Sequence, residues 1–206
     1  MTGCSGMRTS WHPRASPPAM DSLGARRLLE LYGLCTRLKR TKRTGWVRRD
    51  VQEPESVADH MYRASIIALT AAEWEGVDTS KAVKMALVHD LAEAIVGDIA
   101  PGDGVSKEEK HRREKNAMDE MTSLVCGVQA KEEIMTLWEE YEMGSTAEAM
   151  LVKDIDKLEM IIQAKEYEQD QGMNLQEFFD STKGKFTTDT GKLLAEEVHR
   201  LRDSQR

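Results

Sequence analysis

Residues 85–101, M-A-L-V-H-D-L-A-E-A-I-V-G-D-I-A-P, decide how this chain is read. Most of the stretch is apolar and predicts a buried helix. It nonetheless carries His89, Asp90, Glu93 and Asp98 where a core helix takes Leu and Ala. Buried charge is costly unless it is paired or holds a metal. Residues three and four apart share a helix face, so His89 and Asp90 are expected one turn before Glu93. Gly97 then ends the helix, and Asp98 follows in a turn closed by Pro101. An adjacent imidazole and carboxylate make a half-site suited to Mn, Fe, Co, Ni or Zn. A lone His–Asp pair is more often structural than ligating. The apolar frame and the two further carboxylates are what favour a metal here.

On the N-terminal side, Leu28, Leu31, Tyr32, Cys35 and Leu38 recur at helical spacing over residues 24–38. Residues 37–49 then hold seven basic residues and no acidic one, interrupted by Gly45 and Trp46. Such a run is either a solvated surface or an anion site beside an aromatic platform, suited to a nucleotide. Pro54 and Ser56 open a second helix with Asp59 in a capping box. Its inner face is expected to be His60, Ala64, Ile67, Ala71 and Trp74. The His89 helix is expected to begin near Ser80.

On the C-terminal side, Ser106 with Glu109 caps a polar helix reaching about Leu124. A further helix over 132–141 turns Ile134, Leu137, Trp138 and Tyr141 inward. Ser145 with Glu148 is expected to cap a long helix whose stripe is Leu151, Val152, Ile155, Leu158 and Ile162. Asp156 lies at the edge of that stripe, where it needs a partner. It can cap a neighbour, pair with Lys153 or Lys157, or, as a ligand, join His60, His89 and Asp90. Asn174 and Glu177 open a short segment, and a last helix covers 191–201. No strand-type alternation and no repeat is present, so the expected fold is all-α.

The chain has 206 residues, 40% apolar and 32% charged, and favours one domain over 21–206. Residues 1–20 hold three of the five prolines and no acidic residue, and read as a disordered extension, with Met20 as an alternative start. A net charge of -7 argues against nucleic-acid binding. No apolar run reaches membrane-spanning length. Cys4, Cys35 and Cys126 form no disulfide framework or CxxC pattern, which points to a reducing, cytoplasmic compartment. Arg8 and Arg14 keep a mitochondrial transit peptide as the alternative.

The order His60, His89-Asp90, Asp156 resembles the H…HD…D signature of the HD-domain metal phosphohydrolases. The segments R-T-G-W-V, P-E-S-V-A-D-H-M-Y-R, A-L-V-H-D-L-A-E-A-I-V-G-D-I-A-P and K-E-E-K-H-R-R-E are similar to its 5′-deoxynucleotidase branch. The resemblance covers about residues 24–201. It implies an HD-domain bundle of about six to eight helices, a homodimer, and hydrolysis of deoxynucleoside 5′-monophosphates with broad base tolerance. It implies that His60, His89, Asp90 and Asp156 hold Mn, Co or Fe. Glu93 and Asp98 would be essential acids, or ligands of a second ion such as Mg with the Ile99 carbonyl. Trp46 matches an aromatic residue used in sugar and base recognition. Bacterial relatives carry Arg just before that Trp; here the position is Gly45, and Arg43 stands two residues earlier.

A phosphate monoester resists hydrolysis because its charge repels the nucleophile, and a divalent metal offsets that charge and acidifies water. Glu93 is expected to orient or deprotonate the water, and Asp98 to serve the leaving oxygen. Arg43, Arg48, Arg49, Lys110 and Arg113 are candidates for phosphate contacts. The alternatives are a phosphodiesterase or triphosphatase of the same superfamily, an inactive nucleotide-binding regulator, and a helical scaffold.

Overall fold

The longest helix, α8 (Ala147–Gln171), packs against α3 (Val57–Glu75), α4 (Thr79–Val88), α7 (Val128–Met143), α9 (Gln176–Thr182) and α10 (Asp189–Asp203). The computed structural model describes residues 20–204, and the expected extension 1–20 lies outside them apart from Met20. The other helical segments are α1 (Ser22–Leu38), α2 (Thr44–Val47), α5 (Glu93–Val96) and α6 (Lys107–Ser123). The described residues are all-α, with ten helical segments; α2 and α5 are single turns of four residues, leaving eight longer helices. Among the described residues, no helix is long and apolar enough to cross a membrane.

Local chemistry sets the helix ends. Asp21, Asp78 and Thr188 each accept a backbone N–H in the first turn, as N-caps do. Ser56 and Asp59 form the expected capping box. The cap of α8 is Thr146 rather than Ser145: its hydroxyl accepts from the Ala149 N–H, so the helix starts one residue later than the capping pattern suggests.

Helix α3 packs against α4 and α8, and α8 also meets α7, α9 and α10. Ala64, Ala68 and Ala72 on α3 meet Ala82, Met85 and Ala86 on α4 and Leu151, Val152 and Ile155 on α8 in one apolar cluster. Small residues on α3 let these backbones approach, so His60 on α3 and Asp156 on α8 face each other. Two residues assigned inward by periodicity point outward: Trp74 is 85% and Tyr32 57% exposed. Each lies near the margin of an apolar face, where spacing alone does not separate a core position from a rim position.

The basic segment is pinned across this bundle by an isolated antiparallel bridge between Lys42 and Ser56. Arg43 N–H donates to the Glu55 carbonyl at 3.2 Å, and Val57 N–H to the Thr41 carbonyl at 2.9 Å. This seats α2 over the start of α3, next to His60.

Candidate active site

The apolar stretch 85–101 is not one helix. Helix α4 ends at Val88, with His89 as its C-cap, and α5 begins only at Glu93. Leu91, Glu93 and Ala94 N–H groups bond the carbonyls three residues before them, a tighter winding than α. The break turns Asp90 and Glu93 together toward α8, which an uninterrupted helix face need not do.

His60 Nε2 lies 3.2 Å from Asp156 Oδ1 and 3.7 Å from Asp90 Oδ2, and His89 Nε2 lies 3.2 Å from Asp90 Oδ2. Four residues from α3, the α4–α5 turn and α8 thus converge on one point. The ligand atoms of His60, His89 and Asp156 lie within 4.8 Å of one another. Both imidazoles are buried, and both Nε2 atoms lack a hydrogen-bond partner among the described residues. Their other nitrogens are committed. His60 Nδ1 bonds the buried Glu159 carboxylate, and His89 Nδ1 bonds the Ala86 carbonyl at 2.8 Å. With Nδ1 committed in each ring, Nε2 is the nitrogen left to face the centre, the arrangement in which an imidazole can bind a metal. Two buried nitrogens and two half-buried carboxylates, converging on one point, fit a divalent ion that takes mixed N and O donors.

The electrostatics agree. Burial and the Arg43 charge both push His60 down, yet the facing carboxylates of Asp156 and Glu159 outweigh them and bring it to about 10. Burial pushes Asp90 and Asp156 up, but the histidines and Arg43 hold both well below the usual carboxylate range. Glu93 goes the other way: burial first, then the charges of Asp90 and Asp98, raise it well above its ordinary value. The centre is therefore a field that attracts a cation, with one carboxyl beside it disposed to hold a proton.

The expected basic contacts divide. Arg43 reaches the centre: its guanidinium lies 3.4 Å from Asp90, 3.9 Å from Asp156 and 4.0 Å from Asp98. Lys110 lines the same cavity and donates to the Ile99 carbonyl at 3.2 Å, so the carbonyl expected to help hold a second ion is bonded by an ammonium here. Arg48, Arg49 and Arg113 do not line the cavity. Arg48 bonds the Pro101 carbonyl and Asp103, Arg49 pairs with Glu177, and Arg113 pairs with Glu109 at 2.7 Å. Each is held by a nearby acceptor on the surface, outside the cavity lining, unlike the Arg43 and Lys110 of the same expectation.

Trp46 also differs from expectation. It is 2% exposed, its indole N–H donates to Glu55 at 2.8 Å, and its ring packs on Tyr167 and Phe178. Only part of it reaches the cavity, and the half-buried Phe178, with ring centroids 4.3 Å apart, covers it from that side. A Cβ on Gly45 would come within 3.1 Å of the Phe178 ring, so the missing side chain leaves Phe178 its place. Asp98 accepts the Thr44 N–H, and its carbonyl accepts the Thr44 hydroxyl at 2.6 Å, tying α2 to the α5–α6 loop.

The cavity these groups enclose measures about 360 Å³ and is charged at one end and apolar at the other. Sequence reasoning missed Glu159, Tyr141, Lys153, Glu114 and Phe178. Tyr141 was read as core only, yet its hydroxyl bonds Asp156 at 3.2 Å and its ring lies 5.1 Å from that of His89. Glu159 and Lys153 each stand three residues from Asp156 on α8, a spacing that does carry a signal once Asp156 is taken as a ligand.

An all-α bundle closing two histidines and two aspartates at the charged end of this cavity defines a candidate HD-type metal site. The sequence model of the HD domain family matches residues 35–199, and the chain belongs to that family. It is 58% identical over 161 residues to the 5′-deoxynucleotidase HDDC2 of Danio rerio, covering 77% of this chain and 80% of that one. Identity to the protein of that name from Bos taurus is 53% over 176 residues, covering 84% and 85%. Among solved structures, a conserved hypothetical protein from Pyrococcus furiosus superposes with a TM-score of 0.68 at 37% identity, covering 84% of this chain and 99% of that one.

Proposed function

We propose that this protein is a metal-dependent 5′-deoxynucleotidase, hydrolysing deoxynucleoside 5′-monophosphates to deoxynucleoside and phosphate. The observation that carries the reading is the convergence of two partnerless buried imidazole nitrogens with Asp90 and Asp156 at the charged end of a nucleotide-sized cavity. The names of the curated relatives support the same activity.

His60, His89, Asp90 and Asp156 would hold the ion, with Mn²⁺, Co²⁺ or Fe²⁺ suiting the mixed donors. When bound, it supplies Lewis-acid stabilisation of phosphoryl charge and a more acidic water. Glu159 and the Ala86 carbonyl fix the two imidazoles. Glu93 lines the cavity beside Asp90 with one buried oxygen that has no hydrogen-bond partner among the described residues, which supports it as the group that orients or deprotonates the attacking water. Asp98 holds α2 and faces Arg43, which places the guanidinium where phosphoryl charge builds. Asp98 also lines the cavity, which keeps its expected role at the leaving oxygen or a second ion part of this reading.

At the apolar end, Phe178, Met160, Pro101 and the Trp46 edge offer surface, and no Asn, Gln, Ser or Thr lines the cavity. A base there meets apolar faces and no amide to read it, which favours broad base tolerance. A ribose 2′-hydroxyl packed against such a surface costs about 1–3 kcal/mol, roughly a 5- to 150-fold preference for the deoxy substrate. Phosphate release from paired deoxy- and ribonucleotide panels with Mn²⁺ or Co²⁺ tests the reading. Equal efficiency on dAMP and AMP removes the sugar discrimination, and activity only on diesters or triphosphates replaces the substrate class. The implied homodimer is tested separately, by sedimentation.

A further inference from the structure

Three cations line the cavity, and two are already matched. Arg43 faces Asp90, Asp98 and Asp156, and Lys110 pairs with Glu114 at 3.5 Å while bonding the Ile99 carbonyl. Lys153 differs. Among the described residues its ammonium makes no ion pair and no hydrogen bond; it rests over the Tyr141 ring, 4.4 Å from the centroid.

The lysine is held there by shape. Gly144 ends α7 in the left-handed conformation, with φ +63, and a Cβ on it would stand 2.8 Å from Lys153 Cε. The bare glycine and the Tyr141 face form a slot for the lysine stem. The slot points toward the metal end, because Tyr141 Oη lies 3.2 Å from Asp156 Oδ2. Lys153 also precedes Asp156 by three residues on α8, so the two share a face. The neighbouring Lys157 is paired with Asp154 at 3.1 Å and is absent from the cavity lining.

We propose that Lys153 is a substrate-binding residue that contacts the phosphoryl oxygens from the Tyr141 side of the cavity. The inference rests on the phosphomonoesterase reading of this site. A cation without an anion beside a site that takes a dianion gains an ion pair only when that ligand enters. A lysine ammonium acts as a compact point charge with rotatable donors. It can therefore follow the phosphoryl group from ester to free phosphate, which a fixed fork cannot do as readily.

The experiment compares Lys153→Met and Lys153→Arg with the unmodified metal-loaded protein. It reads inhibition by inorganic phosphate, KM and kcat for dAMP, and calorimetric binding of inorganic phosphate. Lys153→Met is expected to weaken phosphate binding and raise KM by about 10-fold or more, with metal content and melting temperature unchanged and Lys153→Arg largely restored. Unchanged phosphate affinity and KM in Lys153→Met would overturn the proposal and leave Lys153 as a cover for Tyr141. If no nucleotide is hydrolysed by the unmodified protein, the functional reading falls. Phosphate calorimetry then still decides Lys153, weaker binding in Lys153→Met supporting the contact and equal binding refuting it.

Discussion

Glu159 on α8 holds the Nδ1 proton of His60 on α3, joining residues 99 positions apart in the interior. Its other oxygen accepts from Arg63 Nε at 2.8 Å, so the carboxylate is fixed on both sides. Glu159→Gln should weaken metal affinity by roughly 10- to 100-fold, the usual loss when an outer carboxylate behind a ligating imidazole is removed. Metal titration of the purified variant checks this, and an unchanged affinity would restrict Glu159 to an ion pair with Arg63.

Glu93 is buried and carries one oxygen without a partner. Glu93→Gln keeps the shape and removes the base. The variant should retain the metal and bind nucleotide, with kcat lower by roughly 10²–10⁴. Loss of the ion in elemental analysis would instead make Glu93 a ligand.

Trp46 fills the core between α2, α8 and α9, and Phe178 stands between it and much of the cavity. Trp46→Ala should therefore destabilise the fold by about 3–5 kcal/mol, read as a fall in melting temperature. Phe178→Ala should narrow the dAMP-to-AMP ratio with a smaller loss of stability. The reverse pattern, with stability hardly altered in Trp46→Ala and the ratio changed only there, would return the sugar contact to Trp46.

Glu114 on α6 lines the cavity, and burial first, then the charges of Glu142 and Asp90, raise it to about 7 against the pull of Lys110. An acid raised in the folded state binds its proton more tightly there than in the unfolded chain. Its contribution is thus full below about 4.5 and is lost as pH rises to about 7. Glu114→Gln should consequently gain on the unmodified protein between pH 5 and 8, by about 1–3 kcal/mol. Parallel melting curves across that range would show that Glu114 titrates normally.

The sequence by itself determined the class of fold and the chemistry of the centre. Period-3.6 apolar faces and capping residues such as Ser56 and Asp59 are local, and local spacing is enough to predict helices. Four candidate ligands of two types in an H…HD…D order, set in apolar surroundings, were equally legible. Tertiary structure alone decided which neighbours complete them. Of the basic run, Arg43 faces the site while Arg48 and Arg49 turn to acceptors on other segments, since a run of like charges carries no record of its partners. The break after Val88 was hidden because no residue from Val88 to Ala94 is a glycine or proline, so nothing local marks the tighter turn. Glu159, Tyr141 and Lys153 acquire roles only once small residues on α3 let it lie close to α8 and once Gly144 frees a slot for a lysine. Those are contacts across the bundle, fixed by packing between distant segments and absent from any local pattern.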